Sequence, residues 1–295
     1  MSLLDLHMHS YFSDDGEYSP ITLVQMCAQT GVKVMAIADH NSVRAIDEAK
    51  EEAQKLGLRY IPAAEFDCSH NGLNLHVLGY GIDYTNPIFE TIEENIIHQE
   101  LKNSELKLKL TNDLGFNVTK EQLNKHSKNG VYTGEMFAEV LLNDPQYNEH
   151  ELLKPYRIGG SRDANPYVNF YWDYYAQGKV CYTEVKFLTL KEMINIIHKN
   201  KGVAVLAHPG NNLKANFDLI DDMFELGLDG VETFSSYHSD QTNQFFYQKA
   251  IVHHKLVTCG SDFHGKTKPS IKIGQTGCTV DENTLISELE KKHLI

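Results

Sequence analysis

Short apolar runs bounded by turn residues recur along the chain and alternate with longer stretches in which apolar residues return at helical spacing. The longer stretches predict helices, among them 20–29, 43–56 and 190–201, each followed closely by glycine. A repeated strand-helix order is typical of parallel β/α units, closed as a barrel or open as a wound sheet. The short runs predict seven strands, at residues 3–6, 33–38, 60–64, 75–80, 203–207, 230–234 and 256–259.

Residues 86–189 interrupt this alternation. They begin with a long polar stretch of helical character and continue through Asn-, Asp- and Tyr-rich sequence with few signs of buried strands. We expect an inserted, mainly helical subdomain that caps the substrate, placed between two parts of a catalytic domain, 1–85 and 190–295. The aromatic end of the insert, 166–182, favours packing against the parent domain, and a substrate wall is the alternative.

Residue types that bind metal ions follow successive predicted strands. Because the carboxyl ends of parallel strands meet on one face, we expect these side chains to lie close together. His7 and His9 are two apart, so in an extended strand both point to the same side. The positions are His7 and His9, Asp39 and His40, Glu65, His208, and Asp262 and His264, with His76 inside the fourth strand.

Most of these positions also have an ordinary structural interpretation. Asp39 either orients a ligand histidine or caps the helix that starts near residue 41. Glu65 is either a bridging carboxylate or a surface charge at a strand end. His76 and His208 are either ligands or hydrogen-bonded core histidines. The joint pattern favours a metal site over these separate explanations.

Two further positions belong to the predicted active face. The loop after His9 contains Asp14 and Asp15, either of which is a candidate metal ligand or a turn cap. His238 follows the sixth strand, and we expect it to contact substrate or a phosphate oxygen.

In this order, the motifs DLHMH, IADH, AAEF, LAHPG and GSDFHG resemble the PHP (polymerase and histidinol phosphatase) family. The resemblance covers residues 1–85 and 190–295, and the insert resembles that of small bacterial members acting on nucleotides. It implies an α/β fold, a distorted (β/α)7 barrel, with a trinuclear metal centre.

The resemblance also implies a ligand set for each ion. One metal falls to His7, His9, Glu65 and Asp262, and a second to Glu65, His76 and His208. The third falls to His40, His264 and an aspartate, with Asp14 chosen by its spacing from His9 and Asp15 as the alternative. Mixed imidazole and carboxylate ligands favour Zn, Mn or Fe without ranking them.

The insert departs from the pattern of nucleotide phosphatases in that family. By the resemblance, those phosphatases have an arginine at each of two positions where this sequence has Gly134 and Asn211. We therefore expect other residues to bind the phosphate group of the substrate. The candidates are Arg157, Arg162 and Lys266, with Lys268 beside them.

Composition limits the partners. With 27 Lys and Arg against 40 Asp and Glu the formal charge is −13, which disfavours long nucleic acid and anionic membranes. The scattered, odd number of cysteines favours reduced thiols. No secretion signal or membrane span is evident, so we expect a cytoplasmic protein, with its oligomeric state open.

These expectations combine into one predicted activity. A metal-dependent phosphoesterase would use a metal-bridged hydroxide against a small phosphorylated metabolite, first of all a nucleotide. Glu65 and Asp39 would support that chemistry, and His238, His264 or a metal-bound water would protonate the leaving group. The alternatives are a cyclic-phosphate phosphodiesterase or short-oligonucleotide 5'-3' exonuclease, and a metal-dependent amide hydrolase.

Overall fold

The computed structural model describes residues 2–295 as a mixed α/β fold with nine strands among those residues. The strands are β1 (Leu4–Asp5), β2 (Val34–Met35), β3 (Arg59–Tyr60), β4 (Ala63–His70), β5 (Leu73–Tyr80), β6 (Leu188–Thr189), β7 (Val203–Leu206), β8 (Gly230–Ser235) and β9 (Leu256–Gly260). The predicted strands are all present, but the third is split into β3 and a longer β4, and β6 was not predicted.

The helices carry recognisable end signals. Ser19 caps the first helix by accepting a hydrogen bond from the backbone of Thr22, and Gly31 ends it in the left-handed conformation at φ 88°. The helices are α1 (Pro20–Thr30), α2 (Ile46–Leu56), α3 (Ile88–Asp113), α4 (Lys120–Leu123), α5 (Gly134–Asn143), α6 (Pro166–Tyr174), α7 (Leu190–Lys199), α8 (Pro209–Asn212), α9 (Leu219–Leu226), α10 (Asp240–Val252) and α11 (Glu282–Lys291). Short 3₁₀ turns lie at Pro145–Tyr147, Glu151–Tyr156 and Gly265–Thr267.

The strands form two sheets. Three parallel strands are ordered β1-β2-β3, and six strands are ordered β6-β4-β5-β7-β8-β9. Backbone hydrogen bonds join them at irregular positions: Leu6 N donates to Cys259 O at 3.0 Å, and Glu65 N donates to Asp39 O at 3.0 Å. Buried apolar side chains fill the space between these strands and the helices on their outer side.

The expectation of wholly parallel strands is wrong at β4 and β5. These two strands pair antiparallel through a tight turn at Asn71 and Gly72, where φ is 49° and 78°, and β5 also pairs antiparallel with β7. An Asn-Gly turn with two positive φ values matches the twist of a hairpin. Glu65 and His76 consequently lie inside paired strands, and Glu65 does not follow a strand end as predicted.

The segment between β5 and β6 is built from α3, α4, α5, α6 and the first two 3₁₀ turns. Its apolar side chains pack into a cluster distinct from the one under the strands. Among residues 2–295, no helix has the length and apolar content that crossing a bilayer requires. The five cysteines are free thiols, as predicted.

Candidate active site

Glu65 lies at the centre of the predicted ligand cluster and is fully buried on β4. Each of its two carboxylate oxygens faces imidazole nitrogens at 3.0–3.2 Å. Such a carboxylate would hold divalent cations together with the imidazoles that face it. Oε2 faces His7, His9 and His40, and Oε1 faces His76 and His208.

His7 and His9 direct their Nε2 atoms toward each other at 3.1 Å. The other ring nitrogen of His7 lies 2.9 Å from Glu232 Oε1, and that of His9 lies 3.0 Å from Ser13 Oγ. If Nδ1 donates in both rings, two Nε2 lone pairs face one another, an arrangement that a shared cation stabilises. Asp262 Oδ1 completes this group at 3.5 Å from His7 and 3.1 Å from His9.

A third group of donors lies beside His9. The rings of His9 and His264 stack at 3.9 Å, and the nitrogens of His9, His40 and His264 lie within 4.8 Å of one another. Asp15 Oδ2 is 3.2 Å from His264 Nε2. Asp14 instead accepts a hydrogen bond from Asn129 at 3.4 Å, so Asp15 is the aspartate that the structure brings to the cluster.

The donor set fits divalent cations. Among residues 2–295, one oxygen each of Glu65, Asp262 and Asp15 is buried without a hydrogen-bond partner. Buried carboxylate oxygens without donors are costly unless a cation balances them. Burial alone would raise the pKa of Glu65, but the imidazoles of His7 and His76 outweigh it and hold that pKa well below its usual range.

Carboxylates outside the predicted set fix the ligand rings. Glu232, fully buried on β8, faces His7 Nδ1 and also accepts a hydrogen bond from the backbone of His208 at 2.8 Å. Asp67 lies 3.1 Å from His76 Nε2. Both were missed by sequence reasoning, although a glutamate within the buried run GVETFS was a usable signal.

Asp39 plays a similar part and was predicted to be closer to the chemistry. Its side chain accepts hydrogen bonds from Ser10 N at 2.6 Å, Ser10 Oγ at 2.7 Å and Ser13 Oγ at 2.8 Å. Since Ser13 also contacts His9, Asp39 acts on the site through Ser13 and is a positioning residue. It does not cap the following helix with its side chain.

The backbone is strained where two ligands leave their strands. His208 has φ 22° and Asp262 has φ 58°, both in the left-handed region. Such conformations cost free energy and concentrate at functional sites. Beside Asp262, a Cβ on Gly260 would lie 2.2 Å from His7 Cβ and 2.4 Å from Glu232 Oε1, so only glycine fits there.

His238 lies close to the site but is not free to contact substrate. Its Nδ1 is 2.9 Å from the carbonyl oxygen of Thr233, and its Nε2 accepts from Gly210 N at 3.0 Å. Burial lowers the pKa of His238, which favours the neutral ring that these two bonds require. Both ring nitrogens thus hold the loop after β7, and the substrate contact of His238 stays a prediction.

The predicted phosphate-binding cations are also placed elsewhere. Arg157 donates to the carbonyl oxygens of Leu142 and Tyr147, and Arg162 pairs with Asp173, all within the insert. Lys266 pairs with Glu139 at 2.7 Å in a small neighbouring cavity. None of the three lines the main cavity beside the cluster.

Lys268 is the cation that the structure places at the cluster. It is 6% exposed, and its Nζ lies 2.7 Å from Asp262 Oδ2 and 3.4 Å from His264 Nε2. A buried ammonium group at this position can neutralise an oxygen of a bound phosphate group.

A cavity of about 370 Å³ opens from the cluster, with the segment between β5 and β6 forming its opposite side. Glu135 on α5 lines this cavity, and burial, with the nearby charge of Asp15, raises its pKa to about 7. A Cβ on Gly134 would lie 2.7 Å from the ring of Tyr175 and 2.9 Å from that of Tyr171. An arginine therefore does not fit at position 134.

The chain belongs to the PHP domain family, whose model matches residues 5–202. Over 89% of its length it is 24% identical to phosphoribosyl 1,2-cyclic phosphate 1,2-diphosphodiesterase of Eggerthella lenta, covering 94% of that protein. It is 27% identical to the 5'-3' exoribonuclease Rnm of Escherichia coli, with 92% of this chain and 88% of that protein covered. It is 24% identical to 3',5'-nucleoside bisphosphate phosphatase of Chromobacterium violaceum, with 94% and 92% covered.

Two solved structures share the fold over nearly the whole chain. A proposed metal-dependent phosphoesterase from Bifidobacterium adolescentis has a TM-score of 0.77 at 24% identity, covering 98% of this chain and 96% of that one. An amidohydrolase from Chromobacterium violaceum has a TM-score of 0.78 at 22% identity, covering 99% and 97%. The predicted class, a metal-dependent phosphoesterase of the PHP family, is confirmed.

Proposed function

We propose that this enzyme hydrolyses a small phosphorylated metabolite and that a nucleotide monoester is its first candidate substrate. The placement of Glu65 carries the proposal, because each of its oxygens faces a separate set of imidazoles beside a cavity of about 370 Å³. A cavity of this size accommodates a molecule of nucleotide dimensions.

We propose about two to three divalent ions, of Zn, Mn or Fe, at this centre. When bound, they lower the pKa of water and neutralise charge on a transferring phosphoryl group. The proposed ligand sets are His7, His9, Glu65 and Asp262; Glu65, His76 and His208; and His40, His264 and Asp15.

The side chains around the ligands have separate tasks in this proposal. Glu232 and Ser13 hold the rings of His7 and His9 so that each Nε2 faces the centre. Lys268 binds a phosphate oxygen of the substrate from the side of Asp262. The insert covers the cavity and limits the access of water to the reacting group.

The proposal includes the architecture around the site. We infer a distorted (β/α)7 barrel, supported by the bonds from Leu6 N to Cys259 O and from Asp262 N to His7 O, which join the first strand to the last. We also infer that residues 86–189 form a capping subdomain, supported by the separate apolar cluster of that segment.

Cleavage of a phosphodiester is the second candidate function. It is favoured by the room that the cavity leaves beyond the cluster and by the cyclic diesterase and exoribonucleases among the relatives. One of the similar solved structures is called an amidohydrolase, but at 22% identity the similarity supports only a shared fold and does not favour amide hydrolysis.

Product analysis on parallel substrates tests the proposal. Purified enzyme with Mn²⁺ is given a nucleoside monophosphate, a cyclic phosphate, a dinucleotide and an N-acetyl amino acid. We expect release of inorganic phosphate from the monoester. Cleavage of the dinucleotide or the cyclic phosphate alone would favour the phosphodiesterase over the proposed monoesterase. Cleavage of the amide alone would contradict both functions.

A further inference from the structure

The wall of the cavity opposite the metal ligands contains aromatic side chains that the proposed chemistry does not use. Tyr171 and Trp172 on α6 and Tyr182 beyond it all line the cavity that opens from the cluster. Trp172 is half-buried, so part of its ring is open to the cavity. We propose that these three residues form a subsite for the nucleobase of the substrate, an inference that rests on the proposed function.

The hairpin of β4 and β5 links this wall to the metal ligands. Asn74 and His76 are two apart on β5, so their side chains project from the same face, while Leu75 and Val77 point into the core. Two residues of an extended strand span about 7 Å. The part of β5 that the segment after α6 contacts therefore begins about 7 Å along the strand from His76.

The insert is tied to the hairpin at this point. Gln177 Nε2 donates to Gly72 O at 2.8 Å, and Gln177 Oε1 accepts from Asn74 N at 3.4 Å. These bonds hold the segment between Trp172 and Tyr182 against the start of β5. The aromatic wall therefore keeps a fixed position relative to His76.

The neighbouring ring of Tyr171 helps to orient the ring of Trp172. The two rings meet in an edge contact at 5.3 Å between centroids, with 70° between the ring planes. Tyr171 in turn packs against Gly134, where a Cβ would come within 2.9 Å of its ring. The absence of a side chain at position 134 thus leaves space for an aromatic wall in place of an arginine.

Aromatic side chains bind bases by stacking, which tolerates different bases because each has a flat π surface. An acidic protein gains little from long-range attraction of nucleic acid, so stacking at the cavity is a suitable source of affinity for the nucleoside part. A phosphate ester that carries a planar base can contact this wall and the metal ligands together, because both line the same cavity. Sugar phosphates without a base lack that contact.

Trp172 is the only tryptophan in the sequence, so its fluorescence reports directly on this subsite. The metal-loaded enzyme is titrated with adenosine in the presence of inorganic phosphate, and separately with ribose and phosphate. We expect saturable quenching by adenosine and no change with ribose. Calorimetry on the same samples measures binding independently of fluorescence.

Kinetics on Trp172→Leu and Trp172→Phe supply the second measurement. We expect Trp172→Leu to lower kcat/KM for a nucleoside monophosphate about ten-fold through KM, and Trp172→Phe to retain most of it. Ribose 5-phosphate should be hydrolysed equally by all three proteins. A matched control is Tyr167→Leu, which removes an aromatic ring from the same helix outside the main cavity.

The outcomes separate the subsite from the proposed function. Quenching by adenosine without hydrolysis of any nucleotide would keep the subsite and overturn the proposed function. If nucleotides are hydrolysed, adenosine causes no quenching and Trp172→Leu has the kcat/KM of the wild type, the proposed function stands and the subsite is overturned. Calorimetry that detects no binding of adenosine would overturn the subsite.

Discussion

At the scale of single residues, Glu65 is the first position to test because its two carboxylate oxygens face two different sets of imidazoles. We expect Glu65→Gln to reduce kcat about 1,000-fold, since the amide removes the charge that faces both sets. Steady-state kinetics with saturating Mn²⁺ measure the effect. His98→Ala is the control, because His98 is exposed on α3, and it should keep full activity.

Comparable losses in both variants would mean that the cluster is not the active site. Circular dichroism on the two proteins distinguishes this result from misfolding. Full activity of Glu65→Gln would contradict the proposed bridging role of Glu65.

A substitution at Glu232 tests whether the carboxylates that hold the histidine rings contribute to metal binding. Replacement by Gln weakens the contact to His7 Nδ1 while it preserves the shape of the side chain. We expect metal affinity to fall about 10- to 100-fold and activity to recover when excess metal is added. Metal titration followed by activity is the measurement, and a loss that excess metal does not rescue would argue for a different role.

The cluster of candidate ligands could be predicted from the sequence because most of its residue types follow strands in a fixed order, although Glu65 and His76 lie inside β4 and β5. Glu232 and Asp67 could not, since each acts through one contact across the sheet that no local pattern marks. The arginines at 157 and 162 were misjudged for the opposite reason. Their charge is visible in sequence, but their partners within the insert are not.

At the scale of elements, the loop that contains Asp15 depends on the insert. Lys128 donates from its Nζ to the carbonyl oxygens of Tyr11 at 2.9 Å and Gly16 at 2.8 Å, which bracket this loop. The loop is tightly folded, since a Cβ on Gly16 would lie 1.9 Å from Ser10 O. The insert therefore helps to position a proposed ligand of the third metal.

We expect Lys128→Met to lower the bound metal by about one equivalent and kcat by about ten-fold, because Asp15 loses its fixed position. Lys128→Arg should recover part of both. Elemental analysis and kinetics provide the measurements, with Lys125→Met as the control from the same segment. An unchanged metal content in Lys128→Met would show that the loop holds its shape without the insert.

The helices with proline, glycine or capping signals were predicted close to their observed limits, as α1 and α7 illustrate. The hairpin of β4 and β5 was missed although Asn71 and Gly72 are a strong turn signal. The repeated β/α pattern outweighed that local signal. The antiparallel direction of β5 places His76 at the centre from inside a strand.

At the scale of the whole molecule, the charge of −13 and the cavity of about 370 Å³ favour small substrates. We expect nucleotides and short oligonucleotides to be processed with little dependence on salt, because few phosphate contacts are available outside the cavity. Long structured RNA should bind weakly, which a filter-binding titration at two salt concentrations measures. Tight binding of long RNA with a steep salt dependence would contradict this expectation and indicate a basic surface outside the cavity.

The central claim is that the cluster around Glu65 holds the divalent ions on which phosphate ester hydrolysis depends. Elemental analysis of protein purified without added metal, paired with activity on a nucleoside monophosphate before and after chelation, tests it most directly. We predict about two to three equivalents of Zn, Mn or Fe, complete loss of activity on removal and recovery on restoring the metal. Full activity in a metal-free preparation would contradict the account.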